Sequence, residues 1–516
     1  MSMKYLIGVD LGTSSTKAAL FQIDGKMVAE SAADVPIYYP EPGVVEQENE
    51  DFYRTAAQTV KNCIRESDID PKGIVAIAFD SQMAGVGAVD ENFESVSRFD
   101  SWLDMRCEPY IKYLEENFGE LITTLTGCPP TCDHGPKILW WQNERPEEYQ
   151  QIAKFIMPGG YVAGKMAGLK ADQAFIDHTY VHFSALSNAL QGDWSQEICD
   201  RTGVDMDRLP QIVEPWHVVG EVTAQAASDF GLAPGTLIAA GCGDTAAGAL
   251  GAGIVKAGML FDTAGTASVL AGCTEQFAPD IKNRALLTMR SVIPGLWHPL
   301  AYIAGGGQAL TWFRDQFFDT HYRDLHTEEE MYTHMEELAE KTPLGADGLY
   351  FSPHLTGRIC PATPEMRGAW IGFSFSHNRG HFYRAILESI AYEYAYYLQI
   401  LKELIPRLNL TEARAIGGGA RSGFWNQIKA DVLDVPYVRL DRSEFGTWGS
   451  AMIAGKAAGI FDDLAQVAYE HAQPAGHPLH PDRDRHQKYR KRVGNYIQLQ
   501  KILASTFHDF SSSRVS

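Results

Sequence analysis

Two segments of the chain, one at its start and one near its middle, share the pattern of an apolar run, a Gly-Thr turn and a second apolar run. The first spans residues 5–21 and turns at Gly12-Thr13-Ser14, and the second spans residues 258–272 and turns at Gly265-Thr266. This pattern predicts a tight β-hairpin with free backbone N–H groups at its tip. Because glycine lets a ligand approach the backbone closely, such a tip suits phosphate oxygens.

A single hairpin of this kind is weak evidence, since Gly, Thr and Ser are common in ordinary turns. The second copy favours two similar domains that hold one nucleotide between them. The copies differ at one position, because Asp10 ends the first strand whereas Thr263 stands at the equivalent place in the second. A carboxylate there suits a cation opposite the phosphates, so we expect Asp10 on the metal side.

The size and charge of the chain limit what it can bind. A length of 516 residues is too great for one compact core, and it predicts two domains, which we place at residues 1–252 and 253–516. The net charge of −21 argues against extensive binding to nucleic acid or anionic membrane. ATP stays compatible with this charge, because backbone N–H groups and Mg²⁺ can carry the interaction.

Cysteine usage and the termini indicate the compartment. The eight cysteines are scattered, and the closest pair, Cys128 and Cys132, has no second pair to complete a zinc site. Reduced thiols are therefore expected. The N-terminus enters a strand without a basic and apolar leader, and no run is long and apolar enough to span a bilayer. The sequence predicts a cytoplasmic protein.

Strand and helix patterns alternate along the chain, which indicates an α/β fold. Short buried strands are expected at residues 73–79 and 236–240, and amphipathic helices at 51–65 and 382–404. The two strands lead to Asp80 and Gln82 and to Asp244. Ligands of open α/β sheets meet the carboxyl ends of strands, so we expect these side chains and Asp10 to face one cleft.

Asp244 is the strongest candidate for a catalytic residue. It lies in a loop of small residues, Gly241 to Gly248, which leaves its carboxylate little steric cover. A carboxylate in such a loop could accept the proton of a substrate hydroxyl as that oxygen attacks phosphorus. The alternative is that Asp244 only caps the helix that follows it.

Other candidates carry weaker signals. Glycine runs at residues 305–307 and 417–419 could approach a flat or phosphorylated ligand, although packing explains many such runs. Asp104 and Arg106 could form a buried pair that shapes the cleft, or a purely structural one. Lys17 is expected to face solvent.

Taken together, these segments resemble the FGGY family of carbohydrate kinases, most closely its xylulose-kinase-like branch. The resemblance extends from about residue 5 to about residue 495. The motifs on which it rests occur in the same order along the chain as in the family. They are residues 8–14, Gln82-Met83-Ala84-Gly85, residues 102–106, 243–248, Gly265-Thr266, 367–388 and 417–422.

The resemblance implies two actin-like ATPase domains of the ribonuclease-H type that flank a deep cleft and hinge around ATP and Mg²⁺. It implies that Asp244 is the base and that Asp10 lies on the metal side. It assigns nucleotide binding to Gly12, Thr13, Gly265, Thr266, Gly418, Gly419 and Ser422. Ser14 of the first turn and Gly307 of the glycine run at 305–307 are further nucleotide-binding candidates. The resemblance assigns the sugar side to Gln82, Met83, Asp104, Arg106 and Asp244.

Two departures leave the sugar open. Xylulose kinases typically have His where this chain has Ala84, and Asn where it has Thr245. Both changes remove a polar group that could extend to a hydroxyl of the substrate and hydrogen-bond to it. D-xylulose is the leading substrate, with ribulose, erythrulose, glycerol or a similar ketose or polyol as alternatives. The partners expected are this small sugar and ATP, with a homodimer left open.

Two functions outside sugar phosphorylation are compatible with parts of this pattern. An actin-type or heat-shock-type ATPase would hydrolyse ATP without sugar and present a partner-binding surface. A silent sugar sensor would require a damaged base or phosphate loop, yet Asp10, Asp244 and both Gly-Thr turns are intact.

Overall fold

The computed structural model of the chain describes residues 3–265, 267–318 and 325–512. Two large mixed sheets, each flanked by helices, form its two halves. The strands of the first half are β1 Tyr5–Leu11, β2 Ser15–Gln22, β3 Met27–Asp34, β4 Glu46–Gln47, β5 Ile74–Ser81, β6 Val86–Val89, β7 Ser95–Asp100, β8 Lys154–Ile156, β9 Phe175–Asp177, β10 Ser187–Asn188, β11 Asp193–Trp194, β12 Gln211–Val213, β13 Val218–Glu221, β14 Leu237–Ala239 and β15 Cys242–Gly243. Those of the second half are β16 Met259–Ala264, β17 Ser268–Gly272, β18 Leu287–Arg290, β19 Trp297–Ile303, β20 Tyr350–Ser352, β21 Ala369–Ile371, β22 Glu412–Ile416 and β23 Tyr437–Arg439.

Helices cover the faces of both sheets. In the first half they are α1 Asn49–Ser67, α2 Glu108–Thr126, α3 His134–Glu144, α4 Pro146–Tyr149, α5 Pro158–Ala167, α6 Gln196–Thr202, α7 Ala224–Phe230 and α8 Asp244–Gly251. In the second half they are α9 Gln308–Phe317, α10 Glu328–Glu340, α11 Arg379–Leu404, α12 Gly423–Leu433, α13 Phe445–Ala457, α14 Leu464–His471 and α15 Arg483–Ser512. No helix of the described segments combines the length and the apolar character that crossing a bilayer requires.

The two large sheets share a core of five strands in the same order, to which β13 and β15 are added in the first sheet and β18 in the second. In the first, β1 pairs antiparallel with β2, β2 with β3, and β5 and β14 continue parallel on the other side of β1. In the second, β16 pairs antiparallel with β17, β17 with β19, and β22 and β23 continue parallel. The repeat indicated by the two hairpins therefore extends to a five-stranded core of each sheet, and the predicted α/β class with two actin-like domains is confirmed.

Both hairpins form where the sequence pattern places them. In the first, Leu11 pairs with Thr16, and the N–H of Gly12 donates to the carbonyl of Ser15 at 3.1 Å. The apolar residues Leu6, Ile7 and Val9 are completely buried in the core. Burial of these side chains on both faces of the sheet fixes the register, and the register fixes the turn at residues 12–14.

One helix of the second half packs inside the first. Helix α13 lies against β1, β5 and α8. A Cβ atom on Gly8 would lie 1.8 Å from the carbonyl oxygen of Thr447, and one on Gly449 would lie 2.1 Å from that of Ala247. Only glycine permits this backbone contact. The halves are therefore joined directly behind Asp10, while the division after residue 252 stays a prediction.

Candidate active site

Three carboxylates from the first half converge at the carboxyl ends of β1, β5 and β15. Asp10 is in register with Asp80, and Cys242 also pairs with Asp80, which brings Asp244 to the same edge. A Cβ atom on Gly446 of α13 would lie 3.6 Å from Asp80 Oδ1 and 3.8 Å from Asp10 Oδ2. Asp10, Asp80 and Asp244 therefore face one place, as the strand-end pattern predicted.

Burial dominates the electrostatics of this cluster. It raises the pKa of Asp10 to about 7, with a further contribution from the negative charge of Asp244, while Lys17 acts in the opposite direction. Burial and the neighbouring Asp10 raise the pKa of Asp80 well above its usual range. Carboxylates that are held apart from water this way favour a proton or a cation. The cluster is an anionic site that is suited to positive charge.

Asp244 is the first residue of α8, and Gly243 holds the capping position. The suggested N-cap role of Asp244 is therefore not observed. Its Oδ1 accepts hydrogen bonds from the N–H and the hydroxyl of Thr245, at 2.6 and 3.2 Å. Burial raises the pKa of Asp244 to about 6, and the two bonds from Thr245 oppose this shift. A carboxylate with this pKa is ionised near neutral pH and still basic enough to accept a proton.

The segment before Asp244 is held by two residues that the sequence did not single out. The N–H of Gly243 donates to Thr179 Oγ1 at 2.8 Å, and the Tyr180 hydroxyl donates to the carbonyl of Cys242 at 2.6 Å. Both side chains are buried. They orient the loop that carries the Asp244 carboxylate. The one sequence feature that could have indicated this role is their position directly after the short buried strand β9.

The first hairpin tip is held through Thr13. The indole N–H of Trp102 donates to Thr13 Oγ1 at 2.9 Å, and the amide of Gln47 donates to the Thr13 carbonyl at 2.9 Å. Gly12 and Thr13 are partly exposed and Ser14 is exposed. Lys17 is half exposed and lies 3.8 Å from Glu444. The backbone of the tip therefore stays accessible, while the Thr13 side chain is used to fix it.

The loop after β5 lies between this hairpin and Asp244. The N–H of Gln82 donates to the carbonyl of Leu11 at 3.1 Å. Met83 packs against Gly243, where a Cβ atom would lie 2.7 Å from Met83 Cε. Ala84 has a φ of +61°, a value that L-residues adopt rarely. This strained turn places residues 82–85 beside the carboxylate cluster.

Asp104 and Arg106 form a buried ion pair. Both carboxylate oxygens of Asp104 are engaged, with the Arg106 guanidinium at 2.8–2.9 Å and with the N–H of Val45 at 2.7 Å. Arg106 also contacts Glu46 at 2.6 Å. The pair positions the segment that carries Trp102, and direct contact with a sugar stays a prediction.

The second hairpin meets the glycine run at 305–307. A Cβ atom on Gly307 would lie 1.6 Å from the carbonyl oxygen of Gly265, whereas one on Gly305 would meet nothing within 4 Å. Thr266, the remaining residue predicted at this tip, lies outside the described residues. Gly265 and Gly307 are thus brought together, which the sequence did not show.

A cavity of about 700 Å³ opens beside the third glycine run. Gly418 lines it, together with Arg421, Arg439 and Glu444 from the second half and Gly25 from the first. Gly419 lies behind the cavity wall, where a Cβ atom would be 2.5 Å from the Trp425 ring. Ser422 caps α12 through a 2.9 Å bond from the Trp425 N–H. The size of the cavity suits a nucleoside.

The carboxylates fit a magnesium ion that is shared with a nucleotide. No three His, Cys, Asp or Glu side chains of the described residues are grouped as a complete metal site. Mg²⁺ in nucleotide enzymes usually takes one or two carboxylates and completes its shell with phosphates and water. Asp10 could supply such a ligand, and the buried Asp80 Oδ1 behind it lacks a hydrogen-bond partner among the described residues.

Comparison with known proteins accounts for nearly the whole chain. The N-terminal domain of the FGGY family of carbohydrate kinases matches residues 5–251, and the C-terminal domain matches residues 261–458. A xylulose kinase of Bacillus subtilis is 28% identical over 490 residues, which is 95% of each chain. A gluconokinase of the same organism is 28% identical over 515 residues, 98% of this chain and 97% of the other.

The fold comparison agrees. The crystal structure of a ligand-bound xylulose kinase from Lactobacillus acidophilus superposes with a TM-score of 0.89 at 23% identity, covering 98% of this chain and all of the other. At that identity the similarity establishes the fold alone.

Proposed function

Since this chain belongs to the FGGY family of carbohydrate kinases and is an ATP-dependent sugar kinase, we propose that it phosphorylates a primary hydroxyl of a neutral ketopentose such as D-xylulose. The observation that carries this proposal is the position of Asp244. Asp244 directly follows Cys242 and Gly243, which pair with the end of β5, and Gly243 packs against Met83 of the loop after β5. A sugar held by that loop would meet both the base and the phosphates.

We assign the transfer step to residues of both halves. The sugar hydroxyl oxygen attacks the γ-phosphorus of ATP, the bond from that phosphorus to the β,γ-bridging oxygen breaks, and ADP leaves with the bond's electrons. Asp244 takes the hydroxyl proton. The backbone N–H groups of Thr13 and Ser14 stabilise the phosphoryl oxygens. The N–H of Gly265 donates to the carbonyl of Ala267 at 3.0 Å, so we assign Gly265 the role of letting the phosphates approach the second hairpin closely. Asp10 would hold Mg²⁺, which neutralises phosphate charge when bound.

The remaining predicted residues keep their proposed roles. Thr266 belongs to the second phosphate hairpin, and Gly307 supports it. Gly418 lines the adenosine side, while Gly419 and Ser422 shape the wall behind it. Gln82 and Met83 face the sugar, and Asp104 and Arg106 support that side through Trp102.

The charge pairing of Arg106 favours a neutral sugar over a sugar acid. Arg106 is neutralised by Asp104 and Glu46 at 2.8 and 2.6 Å. A carboxylate substrate would need an unpaired cation to offset its desolvation, and this guanidinium is already paired.

Turnover should fall on the acidic side of about pH 6. The base acts only when ionised, and burial raises the pKa of Asp244 to about 6, so at one unit below its pKa about one site in ten holds an ionised base. Thr245→Val removes the hydroxyl bond that opposes this shift and should move the acidic limb of kcat to higher pH. The pH profiles of kcat for the native protein and for Thr245→Val measure this shift. Acidic limbs that superimpose in the two profiles would contradict the prediction.

A substrate panel tests the proposal. Ketopentoses, ketotetroses, polyols, glycerol and gluconate are compared in an ADP-release assay, with a reaction lacking sugar as the control. D-xylulose or a related neutral ketose should give the highest kcat/KM. Preference for gluconate would overturn the neutral-sugar assignment, and equal ADP release without sugar would favour an ATPase.

A further inference from the structure

Two buried glutamines link the loop after β5 to the first phosphate hairpin. Gln47 in β4 is completely buried and Gln82 is 1% exposed. The Gln82 amide nitrogen donates to Gln47 Oε1 at 2.8 Å. The Gln47 amide nitrogen donates to the carbonyls of Thr13 at 2.9 Å and Pro36 at 3.4 Å. A continuous chain of hydrogen bonds through the two carboxamides thus connects the proposed sugar side to the hairpin tip.

The two backbone carbonyls fix the orientation of both amides. A carboxamide has one accepting and one donating end, and its hydrogen-bond partners decide which way it points. A reversed Gln47 would direct its oxygen at the oxygens of Thr13 and Pro36. With Gln47 fixed, a reversed Gln82 would bring two oxygens to 2.8 Å. Gln82 must therefore keep its oxygen as the free end.

That free end has no partner within the described part of the chain. Gln82 Oε1 is buried and makes no hydrogen bond there. A buried acceptor without a donor is unfavourable, and it gains most from a ligand that brings an O–H group. A carboxylate cannot supply that donor, and neither can a fluorine.

We propose that Gln47 is a positioning residue that sets the polarity of Gln82, so that the sugar side recognises a hydroxyl as a donor and transmits its presence to Thr13 of the phosphate hairpin. This inference rests on the proposed function and names the chemistry that the sugar must offer. It also gives a reason for a polar side chain in the short strand β4, since the bonds of Gln47 connect the two ligand sites.

The first test uses the native protein with analogues of its best sugar. Each hydroxyl that is not phosphorylated is replaced in turn by hydrogen and by fluorine. At one position both replacements should lower kcat/KM about tenfold or more, because fluorine can accept but cannot donate. Full activity of every fluorinated analogue would overturn the inference.

The second test is Gln47→Met, which keeps the length of the side chain and removes its hydrogen bonds. KM for the sugar and KM for ATP should both rise about tenfold, because the loop and the hairpin lose the hydrogen bonds of Gln47 that hold both of them in place. The matched control is Gln500→Met, since Gln500 is 1% exposed, accepts from Ser352 at 3.2 Å and lies on α15. Its KM values should stay unchanged.

The outcomes separate this inference from the proposed function. If Gln47→Met loses only thermal stability, as Gln500→Met is expected to, Gln47 is a packing residue and the inference fails. If Gln47→Met does not fold, the analogue series still decides. If the native protein phosphorylates no sugar in the panel, the proposed function itself fails.

Discussion

Asp244→Asn is expected to lower kcat about 100- to 10,000-fold, the usual contribution of a positioned general base. Asparagine has nearly the shape of aspartate and its oxygen can still accept the 2.6 Å bond from the Thr245 N–H. It cannot take the proton of the attacking hydroxyl. The helix start, the loop braced by Thr179 and Tyr180, and the ATP site should all be preserved, so the loss should lie in the chemical step.

Single-turnover transfer and ATP binding by calorimetry check this prediction together. ATP affinity should stay within about threefold of the native value, because no phosphate contact is assigned to Asp244. Asp133→Asn is the matched control. Asp133 is a completely buried carboxyl group of the same half, and burial raises its pKa well above the usual range while Lys137 acts in the opposite direction. Asp133→Asn therefore makes the same change of side chain at a buried site to which the mechanism assigns no role. An Asp244→Asn variant with native turnover would remove Asp244 from the mechanism.

The fold could be predicted where local pattern decides it. Alternating or continuous apolar runs bounded by Gly-Thr turns gave both hairpins, and the helices expected at 51–65 and 382–404 are observed as Asn49–Ser67 and Arg379–Leu404. The packing of α13 could not be predicted. Its residues are buried on every side, so its pattern indicates a buried helix without indicating which sheet covers it.

In the candidate site, too, local sequence pattern predicts some features, whereas contacts between distant parts of the chain determine the others. Asp10, Asp80 and Asp244 stand at strand ends, and parallel strands bring their ends to one edge, so local pattern sufficed. The groups that orient them make bonds between distant parts of the chain. Gly243 and Thr179 are 64 positions apart, and Ser450, which donates to Asp80 Oδ2 at 2.7 Å, is 370 positions from it. One sequence contains no signal for such pairs, because any buried hydroxyl could satisfy them.

Gly307→Ala is expected to raise KM for ATP about tenfold or more and to leave KM for the sugar nearly unchanged. Gly307 has φ −71° and ψ −32°, a conformation that alanine adopts freely, so any effect is steric. The new Cβ atom would lie 1.6 Å from the carbonyl oxygen of Gly265. Overpacking of this kind costs about 1–3 kcal/mol, and the strain is relieved most easily by moving the exposed hairpin tip.

The chain supplies its own control in Gly305→Ala, where the added Cβ atom meets nothing within 4 Å. Both variants add one methyl group to the same glycine run, so they differ only in contact with the hairpin. Initial-rate kinetics over ATP and sugar concentrations distinguish them, because a displaced hairpin weakens the nucleotide and spares the loop at residues 82–85. Equal KM values for ATP in the two variants would mean that Gly265 takes no part in holding the phosphates, and the second hairpin would then be a structural copy of the first.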